Sequence, residues 1–187
     1  MDNIVITIAR QYGSGGKTIG AMLARDLGIN CYSREILKMA SEESGINERL
    51  FGQADERVKI ASWFKVLKKP YEGELLPPES SGFVSDENLF NYQAKVIKDL
   101  AEKESCVIVG RCADFILKDD DVDILSVFIT APLADRITRE MDVDDMNETQ
   151  ARKFIRKMDM RRKNYYNYFT KGDWGKKNTY DLILNSS

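Results

Sequence analysis

The chain has 187 residues, 43% hydrophobic and 31% charged, enough for one globular domain with a real core and too few for two independent ones. Its formal charge is −2, yet residues 151–187 carry 10 Lys and Arg against 3 Asp and Glu, while residues 1–150 carry 18 against 27. That balance argues against a general nucleic-acid coat and suits a compact anionic ligand. There is no histidine, and the three cysteines, Cys31, Cys106 and Cys112, form no CxxC pair, so the common zinc ligand sets and Ser-His or Cys-His nucleophile pairs are excluded.

The opening MDNIVITIARQYG lacks the basic start and long apolar run of a secretory signal, and no apolar run reaches membrane-spanning length. A cytoplasmic protein with no membrane partner is expected. Residues 3–9 (NIVITIA) read as a buried parallel strand ending in a glycine cluster. From Thr18 the spacing of Ile19, Met22, Leu23 and Leu27 predicts a helix that stops at Gly28. Residues 29–32 form a second short strand, after which Ser33 is expected to cap a helix through Ile36, Leu37 and Ala40 to Gly45.

Residues 46–69 look helical but irregular, and residues 70–85, with three of the four prolines, read as a loop. Asp86 begins a helix with Phe90, Ala94, Ile97 and Ala101 on one side, and residues 106–109 (CVIV) make a third buried strand. Residues 111–117 allow one or two helical turns, residues 123–130 a fourth strand, and Pro132 opens the next helix. Asn147 and Gln150 resemble a capping box for a basic helix through about Phe169; residues 171–178 are a polar loop and residues 180–184 a fifth strand. Strands alternating with helices predict an α/β fold, a parallel sheet covered on both faces. One edge of the sheet is left without a covering helix by this pattern, and whether one follows Ser187 is open.

The most informative stretch is Arg10-Gln11-Tyr12-Gly13-Ser14-Gly15-Gly16-Lys17-Thr18, between a predicted strand and a predicted helix. A phosphate tail needs backbone N–H groups converging on its oxygens, which Gly13, Ser14, Gly15 and Gly16 permit. The helix N-terminus adds its dipole, Lys17 a cation and the Thr18 hydroxyl a ligand for Mg²⁺, the parts of a cradle for a nucleoside triphosphate such as ATP. The match to GxxxxGK[ST] is incomplete, because Gln11 stands six residues before Lys17.

With ARQYGSGGKT, VIVGRCADFIL (107–117), VDILSVFITAPLADRITRE (122–140), MDMRRKNYYNYF and YDLILNSS, the chain resembles the cytidylate kinase-like branch of the P-loop nucleoside monophosphate kinases over nearly its whole length. The resemblance implies a P-loop NTPase fold with a five-stranded parallel sheet, an acceptor-binding insertion (46–90) and a helical lid (142–178) that closes over the phosphates. It implies that Lys17 and Thr18 serve phosphate and magnesium, that Arg111 holds the acceptor's phosphate, and that Asp159 and Arg162 form the lid's D-x-x-R pair. Where true cytidylate kinases read G-R-D, this chain has Gly110-Arg111-Cys112, with Asp114 nearby.

Arginine suits phosphoryl transfer because its flat fork bonds two oxygens and stays charged. Arg162 falls in the apolar stripe of its helix, so it faces a ligand phosphate or pairs with Asp159. Arg156 extends the cationic face, and Arg34 follows the second strand at the ligand edge, facing the acceptor's phosphate or solvent. Arg136 and Arg139 face the donor nucleotide base or solvent, with solvent the expectation, and Arg10 has no motif role. Tyr165, Tyr166, Tyr168 and Phe169 are expected to pack a helix on the core, and the cysteines to act as small core hydrophobes. The expected activity is transfer of the terminal phosphoryl group of ATP to a small phosphorylated acceptor, a pyrimidine nucleoside monophosphate such as CMP. The alternatives are a nucleotide-binding sensor with little turnover and a kinase for an unphosphorylated metabolite, for which Asp114 is the candidate base. The partners are small-molecule nucleotides; the oligomeric state is open.

Overall fold

The computed structural model describes residues 3–57 and 74–187. Seven helices and five strands are found among them: β1 (Ile4–Arg10), α1 (Gly16–Leu27), β2 (Asn30–Tyr32), α2 (Glu35–Ser44), α3 (Glu48–Arg57), α4 (Asp86–Lys103), β3 (Cys106–Val109), α5 (Ala113–Ile116), β4 (Asp123–Thr130), α6 (Leu133–Asp144), α7 (Glu148–Thr170) and β5 (Leu182–Asn185). The strands form one sheet in the order β2-β3-β1-β4-β5, and every pairing is parallel. The chain leaves β1 toward β2 at one edge and leaves β4 toward β5 at the other. The crevice of this α/β sheet therefore opens at the carboxyl end of β1.

Alternation along the buried strands feeds two cores. Ile6, Ile8, Val107, Val109, Val127 and Ile129 pack against Ala24 of α1, whereas Val5, Cys106 and Ile108 face a larger core. That larger core takes Ile36 and Leu37 of α2, Phe51 of α3, the buried stripe of α4 and Tyr165, Tyr166 and Phe169 of α7. The aromatic cluster thus packs the helix, with the Phe90 and Phe169 rings stacked at 4.2 Å. The second half of the segment expected to be a lid is consequently built into the main core. Of the expected insertion, α3 and the loop before α4 also pack on this core, through Phe51, Leu75 and Phe83. Asn88 fixes that loop by accepting from the Leu76 N–H and donating to the Phe83 carbonyl. The expectations for residues 58–73 lie outside the described residues.

Three local expectations change. The N-cap of α2 is Arg34, not Ser33; the Ser33 N–H instead donates to Glu35 Oε2 at 2.8 Å, so the first-turn carboxylate closes this end. The last strand begins at Leu182, two residues late, because Tyr180 is buried against Phe128 and Asp181 accepts from both the N–H and the hydroxyl of Ser126. Pro132 is the N-cap of α6 rather than its first turn. The capping box of α7 forms in full, with Asn147 and Gln150 bonded reciprocally. No helix among the described residues is long and apolar enough to cross a membrane.

Candidate active site

The loop between β1 and α1 turns through Gly13 (φ 74°) and Gly15 (φ 75°), both in the left-handed region that favours glycine. Space matters as much as torsion: a Cβ on Gly13 would lie 3.1 Å from the Arg136 Cβ and 3.2 Å from its carbonyl oxygen. Ser14 is fully buried and donates from its hydroxyl to the Gln11 carbonyl at 2.8 Å.

Five consecutive carbonyls of this loop are each held by a side chain. Arg162 donates to the Arg10 carbonyl (2.9 Å), Ser14 to Gln11, Arg136 to Tyr12 (3.1 Å), Arg139 to Gly13 (3.2 Å) and the Ser186 hydroxyl to Ser14 (2.7 Å). With its oxygens tied outward, the loop keeps the N–H groups of Gly13, Gly15, Gly16, Lys17 and Thr18 without a hydrogen bond among the described residues. No acidic residue stands in the first turn of α1 to oppose the helix dipole. Bare amides at a helix N-terminus form a nest for an anion.

Arg136 and Arg139 thus correct the expectation that they face solvent. Arg136 is 6% exposed. It pairs with Asp159 Oδ2 at 2.6 Å, and Asp159 Oδ1 accepts the Tyr12 N–H at 2.7 Å. The Asp159 carboxylate therefore clasps α6 and the loop to α7, and no hydrogen bond joins it to Arg162, its expected partner. The Arg162 guanidinium stands 5.1 Å from the centre of the Tyr12 ring, a cation–π contact. Burial pulls Arg162 below its usual pKa, while Asp159 and Tyr12 push it back up.

Beside this loop opens a cleft of about 460 Å³ whose lining includes Lys17, Arg34, Arg111, Asp114 and Arg162, brought together as the sequence analysis grouped them. Arg10 and Arg161 join them, so among the described residues five arginines and one lysine line the cleft with one carboxylate. Arg156 is exposed on α7 and does not line the cleft. Arg111 reaches the cleft because β3 ends in three successive left-handed residues, Gly110 (φ 84°), Arg111 (φ 62°) and Cys112 (φ 56°). Its Nη1 points at Gln93 Oε1 of α4, 3.4 Å away.

Asp114 accepts the Tyr166 hydroxyl at 2.7 Å. Burial raises the Asp114 carboxyl above the usual range, against the pull of Tyr166 and of the α5 amides. Burial, chiefly, and the Asp114 charge raise Tyr166 in turn. Cys106 and Cys112 are buried as expected, and Cys31 is half-buried. Among the described residues no group of three or more His, Cys, Asp or Glu side chains gathers to hold a metal.

Sequence reasoning missed Arg10, Arg136 and Arg139, and Ser186 as well. Arg136 and Arg139 lie on the α6 face that meets the loop, a signal present in their three-residue spacing. Nothing in the sequence marks Ser186.

Comparison with known proteins agrees with the fold. No curated protein matches the chain. Among solved structures, an uncharacterized protein from Eubacterium ventriosum ATCC 27560 is 29% identical with a TM-score of 0.69, over 98% of this chain and 88% of that one. Shikimate kinase from Bacteroides thetaiotaomicron is 14% identical with a TM-score of 0.52, over 98% of this chain and 86% of that one, a likeness of fold alone. Residues 5–187 match the cytidylate kinase-like family, and the chain therefore belongs to that family of kinase-type phosphotransferases built on the P-loop fold.

Proposed function

We propose that the protein transfers the γ-phosphoryl group of Mg-ATP to the phosphate of a small acceptor, a pyrimidine nucleoside monophosphate of the CMP class. The observation that carries this reading is the single cleft in which the phosphate-loop helix and Arg34 and Arg111, following two different strands, meet around one volume. The loop amides would hold the donor phosphates, and Arg111 with Arg34 the acceptor's phosphate. An oxygen of the acceptor phosphate attacks the γ-phosphorus as the bond to the β–γ bridging oxygen breaks and ADP leaves. That oxygen is already a nucleophile, so no side chain has to remove a proton.

The donor set fits a magnesium ion that arrives with the nucleotide. The Thr18 hydroxyl is exposed and makes no hydrogen bond among the described residues, and phosphate oxygens and water would supply the other ligands. The ion neutralises charge on the β- and γ-oxygens when bound.

A steady-state assay of Mg-ATP with a panel of nucleoside monophosphates tests the reading. Turnover is expected, with CMP among the best acceptors. Tight ATP binding without turnover on any acceptor would favour a sensor instead. A second reading, a hydroxyl acceptor, is favoured by one observation: among the described residues Asp114 is the only carboxylate lining the cleft, and burial raises its pKa toward that of a useful base. Arg111→Ala separates the two. It should raise KM for a phosphorylated acceptor about tenfold or more, the worth of a charge-assisted hydrogen bond, and barely alter KM for an unphosphorylated one.

A further inference from the structure

The first helical residue of α1 is Gly16, after the N-cap Gly15. The space a side chain would take there is filled: a Cβ on Gly16 would lie 2.6 Å from Cβ and 2.9 Å from Cγ of Arg10, the last residue of β1. The Arg10 side chain then crosses the carboxyl edge of the sheet to Gly110, where a Cβ would overlap Nη1 and fall 3.1 Å from Cζ. One arginine is thus threaded between two glycines, one opening the helix after the phosphate loop, the other leading into Arg111. Its carbonyl is held by Arg162, which fixes the backbone from which the side chain springs.

In GxxxxGK[ST] the lysine follows the last loop glycine and reaches the β- and γ-phosphates. Counted from Gly15, the N-cap, Arg10 stands where that pattern has its first glycine, and Gly16 stands where it has its lysine. The two positions have exchanged a small residue for a cation. Lys17 lies one residue further along the helix, and its charge is felt by Cys31 and Glu35 at the β2 side of the cleft.

We propose that Arg10, rather than Lys17, is the cation that grips the transferring phosphoryl group, and that positions 16 and 110 are glycine because Arg10 passes between them. The assignment rests on the kinase reading above and names a further catalytic residue for it. As the bond from the acceptor oxygen to the γ-phosphorus forms and the bond to the bridging oxygen breaks, the electron pair passes to ADP. A guanidinium between the donor and acceptor loops is placed to bond oxygens that gain charge in that step.

Arg10→Met keeps the stem beside Gly16 and removes the charge; Arg10→Gln is the second variant should the first fail to fold, and thermal melting checks both. Calorimetry with Mg-ATP is expected to show affinity falling about tenfold or more in the Arg10 variants and by a smaller factor in Lys17→Met. In turnover with ATP and CMP, kcat should fall about 100-fold in Arg10→Met, the scale of losing one preorganised donor. Added guanidinium ion should restore part of the activity of Arg10→Ala, a response that a purely structural role would not give. A folded Arg10 variant that binds Mg-ATP and turns over within about threefold of the wild type overturns the proposal. A wild-type protein that binds no Mg-ATP removes the kinase reading itself, a different result in the same titration.

Discussion

Two loops leave neighbouring strands at the same edge of the sheet, and they are built in opposite ways. The one after β1 places glycine at both left-handed residues, 13 and 15, and has its carbonyls tied back by Arg136, Arg139, Arg162 and Ser186. The one after β3 makes three left-handed residues with one glycine, leaving Arg111 and Cys112 in a region that costs a non-glycine residue about 1 kcal/mol each. What holds the second loop is the burial that follows it: Cys112 is 4% exposed, and Ala113 and Leu117 are fully buried. On the proposed reading the first loop presents backbone to a phosphate, so side chains there would be in the way. The second would present a side chain, so its backbone accepts strain that glycine would have avoided.

The largest break of this contrast lies in the clasp on the first loop. Arg136→Met should cost about 3 kcal/mol in chemical denaturation, because it leaves the Asp159 carboxylate facing the loop without its buried partner. The double variant Arg136→Met, Asp159→Asn should recover part of that stability without recovering Mg-ATP affinity. Equal stability of single and double variants would mean that the pair does not hold the loop. Gly13→Ala comes next, at about 2 kcal/mol, since φ 74° is combined with a backbone oxygen 3.2 Å from the new methyl. Gly28→Ala, at φ 68° with nothing within 4 Å, should cost less and separates torsion from crowding.

The same contrast explains what the sequence made legible. Strand–glycine–helix order, the buried runs of β3 and β4 and the Asn147 and Gln150 box were all readable, because they rest on local periodicity and on glycine's torsional freedom. Lys17, Arg34, Arg111, Asp114 and Arg162 line one cleft because each follows or faces the carboxyl edge that the strand pattern defines. The clasp was not readable. Asp159 and Arg136 are brought together by packing of α6 on α7 around Ile137, Ala151 and Ile155, and no local spacing records that. Arg10 draws no notice when the loop is counted from Lys17; counted from the helix start at Gly16, it falls where the pattern has its first glycine.

The second loop can be sharpened by replacing Arg111 in two ways. Arg111→Gly relieves the left-handed torsion and Arg111→Ala keeps it, while both remove the guanidinium. The glycine variant should be the more stable by about 1 kcal/mol, and the two should show the same loss of acceptor affinity. If alanine proves as stable as glycine, the loop holds no strain at this residue.

The smallest expected effect concerns Asp114, which opens α5 directly after that loop. Its carboxyl is raised by burial, so folding favours the neutral form. Stability from this group is therefore fully present below the ordinary carboxylate range and is lost as pH rises through the raised value of the folded protein. Asp114→Asn cannot ionise, and its amide oxygen can still accept the Tyr166 hydroxyl. The variant should accordingly gain on the wild type between acidic and neutral pH, and the gap should then stay level. Urea melts of the two proteins across that range provide the check. A gap that does not change with pH would show that the Tyr166 bond and the α5 amides offset the burial completely, leaving Asp114 as free to ionise as it is in water.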